Sequence, residues 1–181
     1  MGQYYKACLI QEDNVKVITP MGMKIMEHSW YGSTVMRRVE KLLFNNPSKV
    51  MWVWDYSECA PFVWTHKFKG EEDWFSIEYK DSDLLEREEG KNYYLINHSK
   101  NVYINMTMQE LNKEFQDWNW RVVHPLSLLT RAETEEAWGD YHSEINKSLL
   151  WIWCGDTIEV RNDLDWTTWY TDETNDLYFK E

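Results

Sequence analysis

Apolar residues recur at helical spacing between Thr34 and Phe44, and this spacing predicts the main helix of the protein. A hydroxyl at Ser33 or Thr34 can cap its first turn, and the residues NNP at 45–47 can end it. One face of this helix is expected to be buried: Val35, Met36, Val39, Leu42 and Leu43. The polar residues between them are expected to face solvent: Arg37, Arg38, Glu40 and Lys41.

A strand follows that helix directly. Val50–Trp54 is apolar at every position, which is typical of a central strand that is covered on both faces. We expect the helix to cover one face and other parts of the chain to cover the second. The stretch Met26–Glu58 therefore holds the predicted centre of the fold, and the remaining elements are expected to pack onto it.

Two β-hairpins are predicted from alternating β-rich runs. The first joins Gln3–Ile10 to Val15–Ile18, and the second joins Tyr93–Asn97 to Val102–Met106. Shorter elements are expected at several positions: a strand at Trp74–Tyr79, an acidic helical turn at Asp83–Glu89, a helix from Thr107 to about Asp117, a strand at Trp118–His124, helical turns at Arg131–Ala137, and one or two strands within Leu149–Val160. Leu126, Leu128 and Leu129 are expected in a connector.

These elements predict a single α+β domain over residues 1–181. We expect a mostly antiparallel β-sheet packed against one main helix, with one or two short helices. No charged and then apolar leader precedes the first strand, and no apolar run approaches the length of a membrane span. A cytoplasmic protein is therefore predicted.

The negative charge is concentrated in two segments. The chain carries a net charge of −12, of which residues 71–90 contribute −7 and residues 156–181 contribute −6, so that the rest is almost neutral. A concentrated charge attracts basic partners and repels nucleic acid. Acidic runs are commonly solvated faces, but aromatic residues lie among these acids, notably Trp74, Trp166 and Trp169. Carboxylates beside exposed rings are typical of a surface that binds an Arg/Lys-rich protein.

Three W-x-W motifs stand out among the 12 tryptophans of the chain. They occupy residues 52–54, 118–120 and 151–153. In a strand, residues two apart share a face, so each motif would place two indoles side by side. One interpretation is an aromatic core layer, and the other is an exposed platform that binds a protein partner.

The ionisable residues leave an enzyme hypothesis open. Several of them fall near predicted strand ends and could form a hydrolytic or metal site: Glu27, His28, Asp55, His98 and His124. No metal-binding spacing, Gly-rich phosphate loop or nucleophile motif supports that reading. Three cysteines without a C-x-x-C pair predict neither a disulfide framework nor a zinc site. We therefore predict no cofactor and no metal.

Five short blocks resemble a family of small proteins that prophages and mobile elements of Firmicutes encode. The blocks are MGQYYK at 1–6, MEHSW at 26–30, WDYS at 54–57, NHS at 97–99 and VHPL at 123–126. The likeness extends from the start to about residue 130 and fades beyond it. The family often has Gly where this chain has Trp54, which departs from the tight turn of the family pattern.

The resemblance implies a non-enzymatic anti-CRISPR protein that binds Cas9 of type II systems in the bacterial host cell and prevents target cleavage. It carries over no catalytic residue. The predicted partner is guide-RNA-loaded Cas9, without direct DNA binding and without a membrane, and homodimer formation is left open. The alternatives are a small hydrolase that uses the His/Asp/Glu set, and a phage accessory protein that binds another basic host factor. The predicted partner-binding residues are Asp81, Asp83, Glu86, Glu88, Glu89, Asp163, Asp165, Trp166, Trp169, Asp172, Glu173 and Asp176.

Overall fold

A computed structural model describes residues 4–11, 14–20, 23–55, 72–73, 79–107, 122–132, 151–163 and 170–174 of the chain, and every structural statement below concerns these residues. The strands are β1 (Tyr5–Gln11), β2 (Asn14–Thr19), β3 (Ser48–Trp54), β4 (Glu72–Asp73), β5 (Tyr94–Asn97), β6 (Val102–Asn105), β7 (Arg131–Ala132), β8 (Thr157–Arg161) and β9 (Thr171–Asp172). The helices are α1 (Ile25–His28), α2 (Thr34–Leu43) and α3 (Pro125–Leu129), and Asp81–Asp83 forms one 3-10 turn.

The strands form a mixed sheet in the order β4-β2-β1-β3-β8-β5-β6-β9. The pairs β1–β2, β1–β3, β3–β8, β5–β8 and β5–β6 are antiparallel, whereas β4, β7 and β9 add short parallel pairs. Strand β3 lies inside the sheet because β1 pairs with one edge, while β8 and β7 share the other edge. The predicted α+β class, both hairpins and the central strand are thus confirmed.

Helix α2 forms where the sequence predicts it. The Ser33 hydroxyl accepts a hydrogen bond from the Met36 N–H at 3.1 Å, and Asn45 adopts a positive φ of 53° just beyond the last turn. The apolar stripe of α2 packs with residues of β1, β3, β5 and β8 in the main core, which includes Val39, Leu43, Val50, Leu95 and Val160. A second cluster of buried residues forms from Cys8, Val17 and Val53.

The first W-x-W pair belongs to the core. Trp52 and Trp54 are 0% and 7% exposed and both join the main cluster, which confirms the core interpretation for this pair. The prediction is wrong for the third pair, since residues 151–155 form a turn in which Trp151 has a φ of 57° and is exposed while Trp153 is buried. An alternating strand pattern cannot hold where the backbone turns.

Three further element predictions are wrong. Leu126, Leu128 and Leu129 lie in helix α3, because the His124 side chain caps the N-terminus and Pro125 occupies the first turn. Arg131 and Ala132 form a strand on β3 instead of a helical turn. The stretch 84–88 lacks helical structure and only Asp81–Asp83 forms a 3-10 turn, because Leu85 bonds to Arg37 of α2 through its N–H and its carbonyl while the Glu88 N–H donates to the Tyr93 hydroxyl.

Several predictions fall on residues outside the described ranges. They are the strand at Trp74–Tyr79 apart from its last residue, the helix after Thr107, the Trp118–Trp120 pair, and the helical turns beyond Ala132. Val122 and Val123 form only isolated bridges, one of them to Trp30. None of the helices in the described part of the chain is long and apolar enough to cross a membrane.

Candidate functional site

The first acidic segment, residues 81–89, lies against helix α2 through its backbone. The Leu85 N–H donates to the Arg37 carbonyl at 3.0 Å, and the Arg37 Nε–H donates back to the Leu85 carbonyl at 3.1 Å. Arg38 donates to the Asp83 carbonyl at 3.0 Å. Leu84 and Leu85 are buried at this contact. The two arginines of α2 therefore hold main-chain oxygens of the segment.

Arg87 anchors the same segment in the core. Its guanidinium donates to Glu40 Oε1 and lies 5.2 Å from the Tyr31 ring centroid and 5.6 Å from that of Tyr93. The prediction that Glu40 faces solvent is wrong, since Glu40 is 2% exposed. Burial alone would raise the pKa of Glu40, but the Arg87 charge and the His124 N–H together hold that pKa below its usual value.

His124 completes this buried cluster as a neutral imidazole. Its Nδ1 accepts a hydrogen bond from the Leu126 N–H at 3.1 Å, so Nδ1 carries no proton. Its Nε2–H then donates to Glu40 Oε1 at 2.9 Å. Glu40 and Arg87 therefore form the charged pair, and His124 joins α3 to α2 without adding charge.

The carboxylates of residues 81–89 point away from these anchors. Asp81, Glu86, Glu88 and Glu89 are exposed, and Asp83 is half-buried because its Oδ2 accepts from the Lys80 N–H at 3.0 Å. Glu88 forms an exposed ion pair with Lys91 at 2.6 Å. Within the described residues no ion pair involves Asp81, Glu86 or Glu89. This segment is thus a fixed strip of open negative charge.

The second acidic segment uses its described carboxylates internally. Asp163 pairs with Arg161 at 3.0 Å, and Asp172 Oδ1 accepts from the Thr174 N–H at 2.8 Å. Asp156 accepts from Asn97 at 2.7 Å and lies 3.5 Å from the Lys100 ammonium. Glu173 is half-buried. Four other predicted partner-binding residues lie outside the described ranges: Asp165, Trp166, Trp169 and Asp176.

The five residues of the enzyme hypothesis are engaged in separate local contacts. Glu27 accepts from the Lys24 N–H at 2.6 Å, and Asp55 accepts from the Tyr4 N–H at 3.4 Å. His28 is fully buried against the Trp52 ring at a centroid distance of 5.4 Å, and burial lowers the pKa of His28 to about 3. Among the described residues no three His, Cys, Asp or Glu side chains come together as metal ligands.

Two side-chain clusters escaped the sequence reasoning. Glu40 lies four residues after Met36 and three before Leu43, so its spacing placed it within the buried stripe although its charge argued for solvent. His98 contacts Glu159 at 2.8 Å and Tyr170 at 2.8 Å, and neither partner is close to it in sequence. Spacing along the chain offers no indication of that second cluster.

Comparison with known proteins identifies no relative of this chain. No family model matches it, no curated protein matches it, and no solved structure matches it. The resemblance to the prophage-encoded family therefore stays a prediction that depends on the five sequence blocks.

Proposed function

We propose that this protein is a non-enzymatic inhibitor that works by binding a basic surface of another protein, with residues 81–89 as the contact. Its proposed partner is guide-RNA-loaded Cas9 in the cytoplasm of a bacterial host, and its proposed effect is inhibition of target DNA cleavage. The observation that carries the binding role is the strip of exposed carboxylates held on α2. The choice of Cas9 as partner comes from the sequence resemblance.

Rigid anchoring supports this role for residues 81–89. A partner that binds the strip loses little conformational entropy from ordering it, because Arg37 and Arg38 already hold its backbone and the half-buried Arg87 is bonded to Glu40. Lys91 pairs with Glu88, but the arginines nearest the strip are committed to carbonyl oxygens or to Glu40, so no ion pair among the described residues neutralises Asp81, Glu86 or Glu89. Open carboxylates raise the association rate with a basic surface.

The charge of the strip also favours a protein partner over nucleic acid. Binding DNA or RNA requires cations that neutralise phosphates, and a negative strip repels them. Cas9 holds its guide and target in strongly basic channels and reads the adjacent DNA motif with arginines. A negative strip can occupy such a channel or motif site, which would exclude target DNA.

Charge reversal tests the proposal. Asp81→Lys, Glu86→Lys and Glu89→Lys together should weaken binding to guide-loaded Cas9 by about 10-fold to 100-fold at low salt, since each lost charge removes long-range attraction. Affinity is measured by calorimetry, and target binding and cleavage are scored separately with labelled DNA. The unaltered protein should also lose affinity as ionic strength rises.

A matched control changes the net charge equally at another place. Asp163→Lys, Asp172→Lys and Glu173→Lys shift the net charge by the same amount, and this variant should bind Cas9 more tightly than the first. If both variants weaken binding equally, the strip is not the contact. If the unaltered protein forms no complex with Cas9 at low salt but binds another basic host protein, the Cas9 assignment is wrong and the accessory-protein alternative is favoured.

A further inference from the structure

A hydroxyl, an imidazole and a carboxylate form a chain at the turn between β5 and β6. The Tyr170 hydroxyl lies 2.8 Å from His98 Nδ1, and His98 Nε2 lies 2.8 Å from Glu159 Oε2. The Tyr170 and His98 rings meet edge to face at 89°. We name these three residues the Tyr-His-Glu chain. None of them contacts the acidic strip at residues 81–89 through any bond described above.

Three elements of the sheet place these residues. Glu159 sits inside β8 opposite Ile96, and the His98 N–H donates to the Thr157 carbonyl at 2.9 Å. The Thr171 N–H, next to Tyr170, donates to the Asn101 carbonyl of the same turn at 3.0 Å. Because strands and a closed turn support the three side chains, their mutual geometry is fixed before any reactant arrives.

The direction of the hydrogen bonds follows from the buried carboxylate. The Glu159 side chain is 5% exposed and as a carboxylate can only accept, so His98 donates its Nε2–H to it, and in the neutral imidazole the other ring nitrogen carries no proton. His98 Nδ1 is then left as an acceptor for the Tyr170 O–H. This is the arrangement in which a base removes a proton from a hydroxyl nucleophile while a third group orients the base.

The Tyr-His-Glu chain is partly exposed at its Tyr170 and His98 end. The His98 side chain is 27% exposed and Tyr170 is half-buried. The charged neighbours are Arg161, 4.0 Å from Glu159 and 3.0 Å from Asp163, and the Lys100–Asp156 pair of the same turn. Asp172 follows two residues after Tyr170. Among the described residues, two cations with four carboxylates disfavour an anionic phosphoryl reactant and favour an uncharged one.

We propose that Tyr170 is a nucleophile that accepts an acyl group from an activated ester, with His98 as its base and Glu159 as the positioning residue. The phenol oxygen attacks the ester carbonyl carbon while its proton passes to His98 Nδ1. The bond between that carbon and the ester's alkoxy oxygen breaks, and the alkoxide leaves with the electron pair and takes up the proton from His98 to become the alcohol. The product is an ester on Tyr170, and no oxidant, reductant or metal takes part.

The test uses 4-nitrophenyl acetate as the probe and the full-length protein. Acetylation of each tyrosine is followed by peptide mass spectrometry, while nitrophenolate release is followed by absorbance. Tyr170 should acetylate faster than Tyr4, although Tyr4 is 36% exposed and more accessible, since the His98 ring nitrogen lies 2.8 Å from the Tyr170 hydroxyl. His98→Gln should slow Tyr170 acetylation by about 100-fold, the lower end of a general-base contribution.

Matched variants separate this role from a merely structural one. Glu159→Gln should slow the reaction by roughly tenfold or more and Glu159→Asp should restore part of it, because the carboxylate orients His98 and stabilises its charged form. Tyr170→Phe should abolish the adduct at this position. The comparison of Tyr170 with Tyr4 in the unaltered protein is a readout that does not depend on any variant folding. Equal acetylation rates for Tyr170 and Tyr4 would overturn the proposal.

Discussion

The two acidic segments of this chain have similar charge but different structures. In residues 81–89 the nearby arginines bind backbone carbonyls or the buried Glu40, so Asp81, Glu86 and Glu89 remain open. In the described residues of 156–174 the carboxylates bind Arg161, Lys100, His98 or a main-chain N–H. The electrostatic field around a segment therefore depends on which groups the neighbouring cations bind. The number of charges in the segment does not reveal this.

Acid pH should destabilise the whole fold, and this loss of stability limits the pH range in which the two segments can be compared. Folded His28 has a pKa of about 3 whereas the unfolded chain takes up the proton near the ordinary value of 6.5. The unfolded state therefore binds more protons between these values. Stability should be full above pH 6.5 and should fall by roughly 4 kcal/mol as the pH drops towards 3. Urea unfolding at a series of pH values measures this loss.

His28→Phe provides the control for that titration. Phenylalanine keeps a ring against Trp52 but takes up no proton, so its stability should stay flatter between pH 6.5 and 4.5. Below that range the lowered pKa of Glu40 contributes a further loss of stability in both proteins as its carboxylate becomes protonated. Parallel curves for the two proteins above pH 4.5 would contradict the assignment to His28.

Removing the half-buried guanidinium of Arg87 should detach the first segment from α2. Arg87→Met leaves Glu40 buried without its charged partner, and we expect a loss of about 3 kcal/mol in the free energy of unfolding. The double variant Arg87→Met with Glu40→Met should recover much of this loss, because the second change removes the unpaired charge. Lys91→Met, which breaks only the exposed pair with Glu88, is the control and should unfold like the unaltered protein. A loss from Lys91→Met as large as that from Arg87→Met would show that exposed pairs hold the segment.

One carboxylate of the second segment should matter to stability where one of the first does not. Asp172→Ala removes the acceptor for the Thr174 N–H and should cost about 1 kcal/mol. Glu86→Ala removes an exposed side chain outside any described ion pair and should change stability by less than about 0.5 kcal/mol. Denaturant unfolding of the two variants measures the difference. Equal losses would remove the distinction between the segments.

The smallest expected effect has opposite signs in the two segments. Neutralising Asp81, Glu86 and Glu89 to their amides relieves repulsion and should stabilise the fold by up to about 0.5 kcal/mol at low salt, with the gain fading as salt rises. Asp163→Asn instead weakens a partly exposed pair with Arg161 and should destabilise by about the same amount or less. Thermal unfolding at two salt concentrations compares the signs. If Asp163→Asn stabilises the fold, Asp163 behaves like the exposed carboxylates of residues 81–89, and the predicted difference between the segments is wrong.

Local patterns were sufficient for the elements that depend on neighbouring residues. The period of apolar residues and the Ser33 cap predicted α2, and alternation with a polar turn predicted both hairpins. The same reasoning failed where a distant contact decided the conformation. Residues 84–88 form no helical turn of their own, and Leu85 bonds instead to Arg37 of α2. The backbone turns at Trp151, where a strand was expected. Spacing carries no information about partners that lie many positions away.

By itself the sequence determined the α+β class, the main helix, the central strand and the two concentrations of acid, because each depends on periodicity or composition. Only the tertiary structure decided which acids stay open, because Arg37 and Arg38 of α2 bind backbone carbonyls of the segment instead of its carboxylates. The fold likewise brought His98 to Glu159 and Tyr170, and Glu40 to Arg87 and His124. Side chains separated by tens of positions meet only when the sheet forms, and burial then fixes which of them carry charge.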